Sequence, residues 1–332
     1  MKNFTYYRPK TVSEALDLLD DKWGTTELLA GGSDLLNRQK EYIAQPDKVI
    51  SLSGLKELAG IQVLEKQPPI YVIGAGTKVA EIAEHADLRR AFPALTTAAG
   101  DIGSPQIRNV GTLGGNLCQR NRCWYFRDEP TLCYLKGGEK CFALDGENRY
   151  HAIFTKGHKC VIVHPSTLAP VLIALGASAQ VVGPNGKRTI ELDKFFQAPN
   201  AGDREHVLKA NEVMVSVTCP SGPKNGSYEV RHKQAYDWPL VHAAVAFLHE
   251  DGKASKVRIV LGHVAPIPRV AEAAAEALEG KEVNEETASA AGKAAAEGAK
   301  PLAQNGYKVK LVEVAVKRAI LTAAGQKKYW EA

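Results

Sequence analysis

Five of the six cysteines fall in one 43-residue stretch, at Cys118, Cys123, Cys133, Cys141 and Cys160, with intervals of 4, 9, 7 and 18 residues. The surrounding sequence is rich in Gly, Arg, Lys and aromatic residues, unlike the apolar segments in which inert cysteines pack. Thiolates bind soft metals, and four of them are the usual ligand set of an iron–sulfur cluster. Four thiolates can also hold structural zinc, although the C-x-x-C knuckle common in zinc ribbons is absent here. Chemistry alone therefore offers five candidates for four places. Cys219, at the end of an apolar run, reads as a structural residue.

Two glycine-rich strips provide a second kind of chemistry. In Leu28–Leu36, the glycines Gly31 and Gly32 stand where a strand hands over to a helix. Without a Cβ, backbone amides there can turn toward an anion. In Arg108–Asn116, three glycines (Gly111, Gly114 and Gly115) would let a flat or phosphorylated ligand approach the backbone, with Thr112 and Asn116 offering side-chain hydrogen bonds. Neither strip is G-x-G-x-x-G, so a dinucleotide fold of the Rossmann type is not indicated. Taken singly, each is equally a tight strand–helix turn or a glycine-rich hairpin.

The elements that must position these residues follow from periodicity. Thr11 and Glu14 have the spacing of a capping box before a helix with Ala15, Leu16 and Leu19 inward. Thr26–Ala30 and Lys48–Leu52 read as strands of a small parallel βαβ unit. Ile70–Ala75 and Ala179–Val182 are the clearest strands of a longer α+β stretch reaching about residue 220, interrupted from Gly111 to about Cys160 by an irregular segment. A loop that long in a compact domain is usually functional or disordered, and its cysteines favour function. Ser221–Gly226 suggests a linker or wide turn. Strand-like runs Val241–Leu248 and Lys256–Leu261 follow, then Ala-rich helices, the last with Val309, Val312, Val316, Ile320 and Ala323 on one face.

Length and composition bound the rest. The 332 residues suit two domains or one large and one small. A net charge of +5 with dispersed basic residues argues against nucleic acid as the main partner. No run approaches a membrane span, and the N-terminus lacks the apolar core of a signal peptide. The expected location is the cytoplasm, where thiols stay reduced.

Together, Leu29-Ala30-Gly31-Gly32-Ser33-Asp34-Leu35 and Asn109-Val110-Gly111-Thr112-Leu113-Gly114-Gly115-Asn116 resemble the two FAD-contacting loops of the medium subunit of xanthine dehydrogenase-like molybdenum hydroxylases, a group that includes carbon monoxide dehydrogenase and 4-hydroxybenzoyl-CoA reductase. Glu212–Val217 resembles the penultimate strand of that FAD domain, Tyr228–Asp237 the start of its C-terminal domain, and Leu261–Pro268 a later motif, all in the family's order.

The resemblance implies an α+β fold: a two-lobed FAD-binding domain of the vanillyl-alcohol-oxidase type over residues 1–222, with lobes of about 1–58 and 59–222, then a smaller α+β domain with an antiparallel sheet over 227–327. It implies FAD contacts from Leu29, Ala30, Gly31, Gly32, Ser33, Asp34, Leu35, Gly111, Thr112, Gly114, Gly115, Asn116 and Met214. His151 is expected near the flavin, and Lys233 near its ring system, where a positive charge would stabilise a reduced anionic flavin.

One branch of the family has a [4Fe–4S] cluster in an inserted loop, about 118–160 here. Asn121–Phe126 is similar to its entry motif, which assigns the ligands as Cys123, Cys133, Cys141 and Cys160 and leaves Cys118 spare. Thr167 stands where relatives usually have Asp, and either could cap a helix starting near Leu168. The implied partners are a large molybdopterin-binding subunit and a small [2Fe–2S] subunit, in a heterotrimer or its dimer, with an external electron acceptor. Co-export with a signal-bearing partner is compatible with this assembly. A stand-alone flavin oxidase would need a larger substrate domain than the C-terminal part offers, and a zinc-stabilised interaction protein is the non-enzymatic alternative.

Overall fold

The computed structural model describes residues 1–326 and Trp330. It is a mixed helix-and-sheet molecule with three sheets, each next to its own apolar cluster.

The first sheet is small and parallel. Strands β1 (Thr5–Tyr7), β2 (Thr26–Leu29) and β3 (Lys48–Ser51) lie in the order β1-β3-β2. The expected βαβ unit is present with one strand more than periodicity showed, because β1 is only three residues long and mostly exposed. Thr11 caps the helix Val12–Asp17 by accepting from the Glu14 amide at 3.1 Å, while the Glu14 carboxylate accepts from Lys10 rather than closing the box on Thr11.

The second sheet is antiparallel: β4 (Ile61–Leu64), β5 (Ile70–Gly74), β6 (Ser178–Gly183), β7 (Gly186–Glu191) and β8 (Val213–Pro220), in the order β4-β5-β8-β6-β7. β8 is thus the last of the five in chain order but the central one in space. The segment between β5 and β6 supplies the helices that cover this sheet and also the cysteine loop. Gly111–Asn116, read from sequence as a backbone strip, contains one short helix, Leu113–Leu117, whose N-cap is Thr112. The helix Leu168–Ala174 is buried throughout and takes its cap from Ser166, whose Oγ accepts from the Ala169 amide at 3.0 Å; Thr167 makes no cap bond.

The third sheet is antiparallel, β12-β11-β10-β9, from β9 (Lys224–Val230), β10 (Val241–Glu250), β11 (Lys253–Gly262) and β12 (Arg269–Val270). Only residues 221–223 separate β8 from β9, so the expected linker shrinks to a tight turn and Lys224–Gly226 belong to the strand. β10 is buried on both faces from Val241 to Phe247, which explains a run that is apolar but for His242. Val241, Ala243, Val245 and Phe247 face the C-terminal helices, whereas Ala244 and Ala246 join the core of the second sheet. The two larger units therefore share one packed boundary.

Close helix contacts hold the C-terminal unit. The helix Glu285–Ala296, closed by a capping box between Asn284 and Thr287, packs on Tyr307–Ala323, whose buried stripe includes the expected Val312, Val316, Ile320 and Ala323. At their crossing, a Cβ on Gly292 would press into the Glu313 carbonyl. Gly100, in the helix Pro93–Asp101, has nothing within 4 Å of its missing Cβ. Alanine normally stabilises a helix over glycine by roughly 0.5–1 kcal/mol. Chemical denaturation should therefore show Gly100→Ala neutral or slightly stabilising, and Gly292→Ala destabilised by about 1–3 kcal/mol from overpacking.

Candidate functional site

The two glycine strips meet. A Cβ on Gly31 would run into the Val110 carbonyl and the Gly111 Cα, so the backbone of the first strip is seated directly on the second. Gly32 has φ +78°, a conformation that L side chains rarely adopt. Thr112 Oγ1 accepts from the Gly115 amide at 3.1 Å, and Ser166 Oγ donates to Asn116 Oδ1 at 2.6 Å. The strips are thus rigid, and together they wall one cleft of about 810 Å³. That volume lies within the range of small-molecule and cofactor sites.

The cleft brings together Ala30, Gly31, Gly32, Ser33, Asp34, Leu35, Gly111, Thr112, Gly114, Gly115, Asn116 and Met214. Three other residues read from the sequence lie elsewhere. Leu29 packs inward against Leu35, Ala44 and Val49. His151 is buried in the cysteine loop, its Nε2 3.2 Å from Cys123 Sγ. Lys233 is exposed and lines a separate, more polar hollow beside Arg231 and Gln234. The turn that carries Lys233 instead gives the cleft Tyr236 and Trp238, and other segments give it Arg38, Arg122 and Arg204, none of which the glycine motifs indicated.

Those arginines belong to a buried ionic network. Asp34 is its hub: its carboxylate meets Arg127 at 2.6 Å, Arg122 at 3.1 Å and Arg38 at 3.2 Å, and accepts from the Arg120 amide at 3.2 Å. Glu27 on β2 pairs with Arg204 at 2.7 Å and Arg38 at 3.4 Å. Glu205 pairs with Arg120 at 2.8 Å and accepts from Asn121 through both its amide and its side chain. Burial opposes ionisation of Asp34 and Glu27, but the surrounding guanidiniums outweigh it and hold each carboxyl at about 2. Asp34 thus carries a structural duty: it ties the first glycine strip to the segment that opens the cysteine loop. With Arg90 also carrying an ordinary surface pair, only position in the fold distinguishes these ion pairs, which is why the sequence did not reveal the network.

In the cysteine loop, Cys123, Cys133, Cys141 and Cys160 share one neighbourhood. Burial and then its neighbours Cys141 and Cys133 push the Cys123 thiol up to about 12. The Cys160 thiol donates to Cys141, which draws Cys141 down to about 6 and raises Cys160. Cys118 stands apart. It packs against the core of the second sheet, lines the cleft, and is raised to about 12 by burial alone. Cys219 is buried at the end of β8. Among the described residues no set of three or more His, Cys, Asp or Glu side chains is arranged as a metal centre. Cys160 is hydrogen-bonded to Cys141, and Cys123 to His151. No helix among the described residues is long and apolar enough to cross a membrane.

The depressed carboxyls set the sign of the acid response. A group whose folded pKa lies below its unfolded value stabilises above the ordinary carboxyl range, and that stabilisation is lost as pH falls through the folded value. Acid titration followed by circular dichroism should therefore show stability declining between about pH 5 and pH 2. At neutral pH, Asp34→Asn should cost roughly 3–5 kcal/mol by leaving buried guanidiniums uncompensated, and it should flatten the acid decline.

Comparison with known proteins accounts for the architecture. Residues 2–222 match the family model described as the FAD binding domain in molybdopterin dehydrogenase, and residues 226–323 match the CO dehydrogenase flavoprotein C-terminal domain. The chain is 33% identical to the aldehyde oxidoreductase FAD-binding subunit PaoB of Escherichia coli (strain K12), over 98% of this chain and 100% of that one. It is 30% identical to the carbon monoxide dehydrogenase medium chain of Hydrogenophaga pseudoflava, over 96% of each. The solved structure of carbon monoxide dehydrogenase from Hydrogenophaga pseudoflava, lacking the Mo-pyranopterin moiety of its cofactor, superposes with a TM-score of 0.75 at 30% identity, covering 97% of this chain and 98% of that chain. With both domain models and near-complete coverage in agreement, the chain belongs to the family of FAD-binding medium subunits of molybdenum hydroxylases.

Proposed function

We propose that this chain carries electrons within a molybdenum-dependent hydroxylase complex, through FAD in the cleft and a [4Fe–4S] cluster held by Cys123, Cys133, Cys141 and Cys160. The observation that carries this reading is the gathering of those four thiols in a loop whose first residues share Asp34 with the flavin-side glycine strip, while Cys118 is left out. Two sites for redox groups built on one ionic hub suit electron transfer between them. The donor set is thiolate only, the ligation usual for such clusters. The thiol–thiol and thiol–histidine bonds are the partners these side chains would exchange for iron.

When bound, the flavin and the cluster supply the redox chemistry; the protein positions them, tunes them and excludes side reactions. In this reading the glycine strips bring backbone amides to the flavin nucleotide, Thr112 and Ser166 hold the second strip in shape, and Met214 contributes apolar wall. Substrate would be oxidised on a large molybdopterin-binding subunit, with a small [2Fe–2S] subunit between it and this chain and an external acceptor completing the path, or the flow would run in reverse from an external donor. Aldehydes, N-heterocycles and aromatic acyl-CoA esters are the substrate classes this assembly serves. The chain divides for these purposes into residues 1–222 and 227–327.

The test is iron and sulfide per flavin in five single variants reconstituted anaerobically. Cys123→Ser, Cys133→Ser, Cys141→Ser and Cys160→Ser should each lose iron and the broad absorption near ~400 nm of thiolate-bound iron, while Cys118→Ser keeps both. Loss of iron in the Cys118 variant with retention in the Cys160 variant would reverse the ligand assignment. Zinc without sulfide throughout would remove the redox role of the loop. Expressed alone, the chain should bind FAD and leave aldehydes and N-heterocycles unoxidised; turnover without molybdenum would favour a stand-alone oxidase.

A further inference from the structure

The ionic network on the cleft wall does not balance. Five guanidiniums, Arg38, Arg120, Arg122, Arg127 and Arg204, surround three carboxylates, Glu27, Asp34 and Glu205. Five less three leaves a surplus of two positive charges, almost wholly removed from water. Of the other acids on the cleft wall, Glu212 pairs with Arg188, Asp101 with Arg231, and Asp237 accepts from the amides of His232, Lys233 and Trp238, while Glu81 is exposed to water, which screens it. Glu41, itself exposed, also acts on Arg122.

Arg122 is where the surplus meets the cleft. Asp34 is already held by Arg38 and Arg127, so Arg122 is its third guanidinium partner. Its side chain is 26% exposed, against 8–12% for the other four, and it lines the cleft. Its Nε is buried with no acceptor, as is that of Arg204. The guanidinium lies 5.4 Å from the ring centroid of Trp238, which also lines the cleft with Tyr236. A buried cation lacking a full complement of acceptors is stabilised by a ligand that brings negative charge.

We propose that Arg122 supplies the positive charge that makes this cleft prefer reduced, anionic flavin to oxidised flavin, the role the sequence suggested for Lys233. The inference rests on the assignment of the cleft to FAD. Uptake of two electrons and one proton leaves the flavin ring with one additional negative charge, while the pyrophosphate charge is unchanged. A guanidinium near the ring therefore distinguishes the two redox forms, and one near the pyrophosphate does not. The aromatic side chains beside Arg122 suit a flat ring, whereas the glycine strips offer the backbone amides that phosphate oxygens need. Lys233 is exposed and lines the other hollow, where water screens its charge.

The test compares dissociation constants of FAD and of chemically reduced FAD, measured anaerobically on the full chain and on Arg122→Met, Arg122→Lys and Lys233→Met. The wild type should bind the reduced form more tightly. Arg122→Met should weaken reduced FAD about tenfold more than oxidised FAD, as expected for loss of one partly screened charge contact. Arg122→Lys should restore much of the difference, and Lys233→Met should leave the ratio unchanged. Equal weakening of both forms by Arg122→Met would place the charge at the pyrophosphate and overturn the proposal. So would tighter wild-type binding of oxidised FAD, a result that needs no variant to fold. A wild-type chain that binds neither form would instead overturn the flavin assignment itself.

Discussion

The carboxylate of Asp34 is the point on which the arrangement of this molecule turns. It stands two residues after Gly32, so any movement of the first glycine strip moves it. Yet its partners come from other parts of the chain: Arg38 from the next helix, Arg122 and Arg127 from the head of the cysteine loop, and the Arg120 amide. Glu27 and Glu205 extend the same network to β2 and to the segment before β8. The small parallel sheet has only a modest core of its own, and these ion pairs join it to the larger unit alongside the seat of Gly31 on Val110 and Gly111 and the packing of Val215 on that core.

Buried ion pairs add little net stability, because desolvation offsets much of their attraction, but breaking one is expensive. Such a network is suited to fixing a geometry. Here it fixes the cleft wall to the root of the cysteine loop. The far side of that loop is secured by the C-terminal unit. Asn305 donates to the carbonyls of Asn148, His151 and Ala152, and Lys308 donates to those of Tyr150 and His263. With no carboxylate in contact, burial brings Lys308 down to about 7. The cysteine loop, irregular in its own backbone, is held at both ends by polar contacts from outside it.

Legibility in the sequence followed the physical range of each signal. The glycine strips could be read because their chemistry is local, and the last helix because its apolar stripe repeats over about four turns. Val241–Leu248 was visible as a strand because it is buried on both faces. The strand β1 is too short and too exposed to leave a pattern. The linker or wide turn read at Ser221–Gly226 is shorter, residues 221–223, because glycine and proline mark turns without giving their length; Gly226 lets β9 lie against the Ala319 carbonyl and the Ala323 amide of the last helix. Asp34 was placed as a ligand contact, and only the fold shows four donors from Arg38, Arg120, Arg122 and Arg127 converging on it. For His151 and Lys233 the family resemblance implied places near the flavin, and neither lines the cleft: His151 lies in the cysteine loop and Lys233 on a separate hollow.

The central claim is that one chain holds both a flavin and a cluster. Low-temperature electron paramagnetic resonance of the anaerobically purified full chain, reduced with dithionite and quantified against bound FAD, tests it most directly. The account predicts a signal integrating to one reduced [4Fe–4S] cluster per flavin, from the chain alone with no partner subunit present. Stoichiometric FAD with no iron signal after anaerobic reconstitution would contradict it, and would leave the cysteine loop a structural element on a flavoprotein.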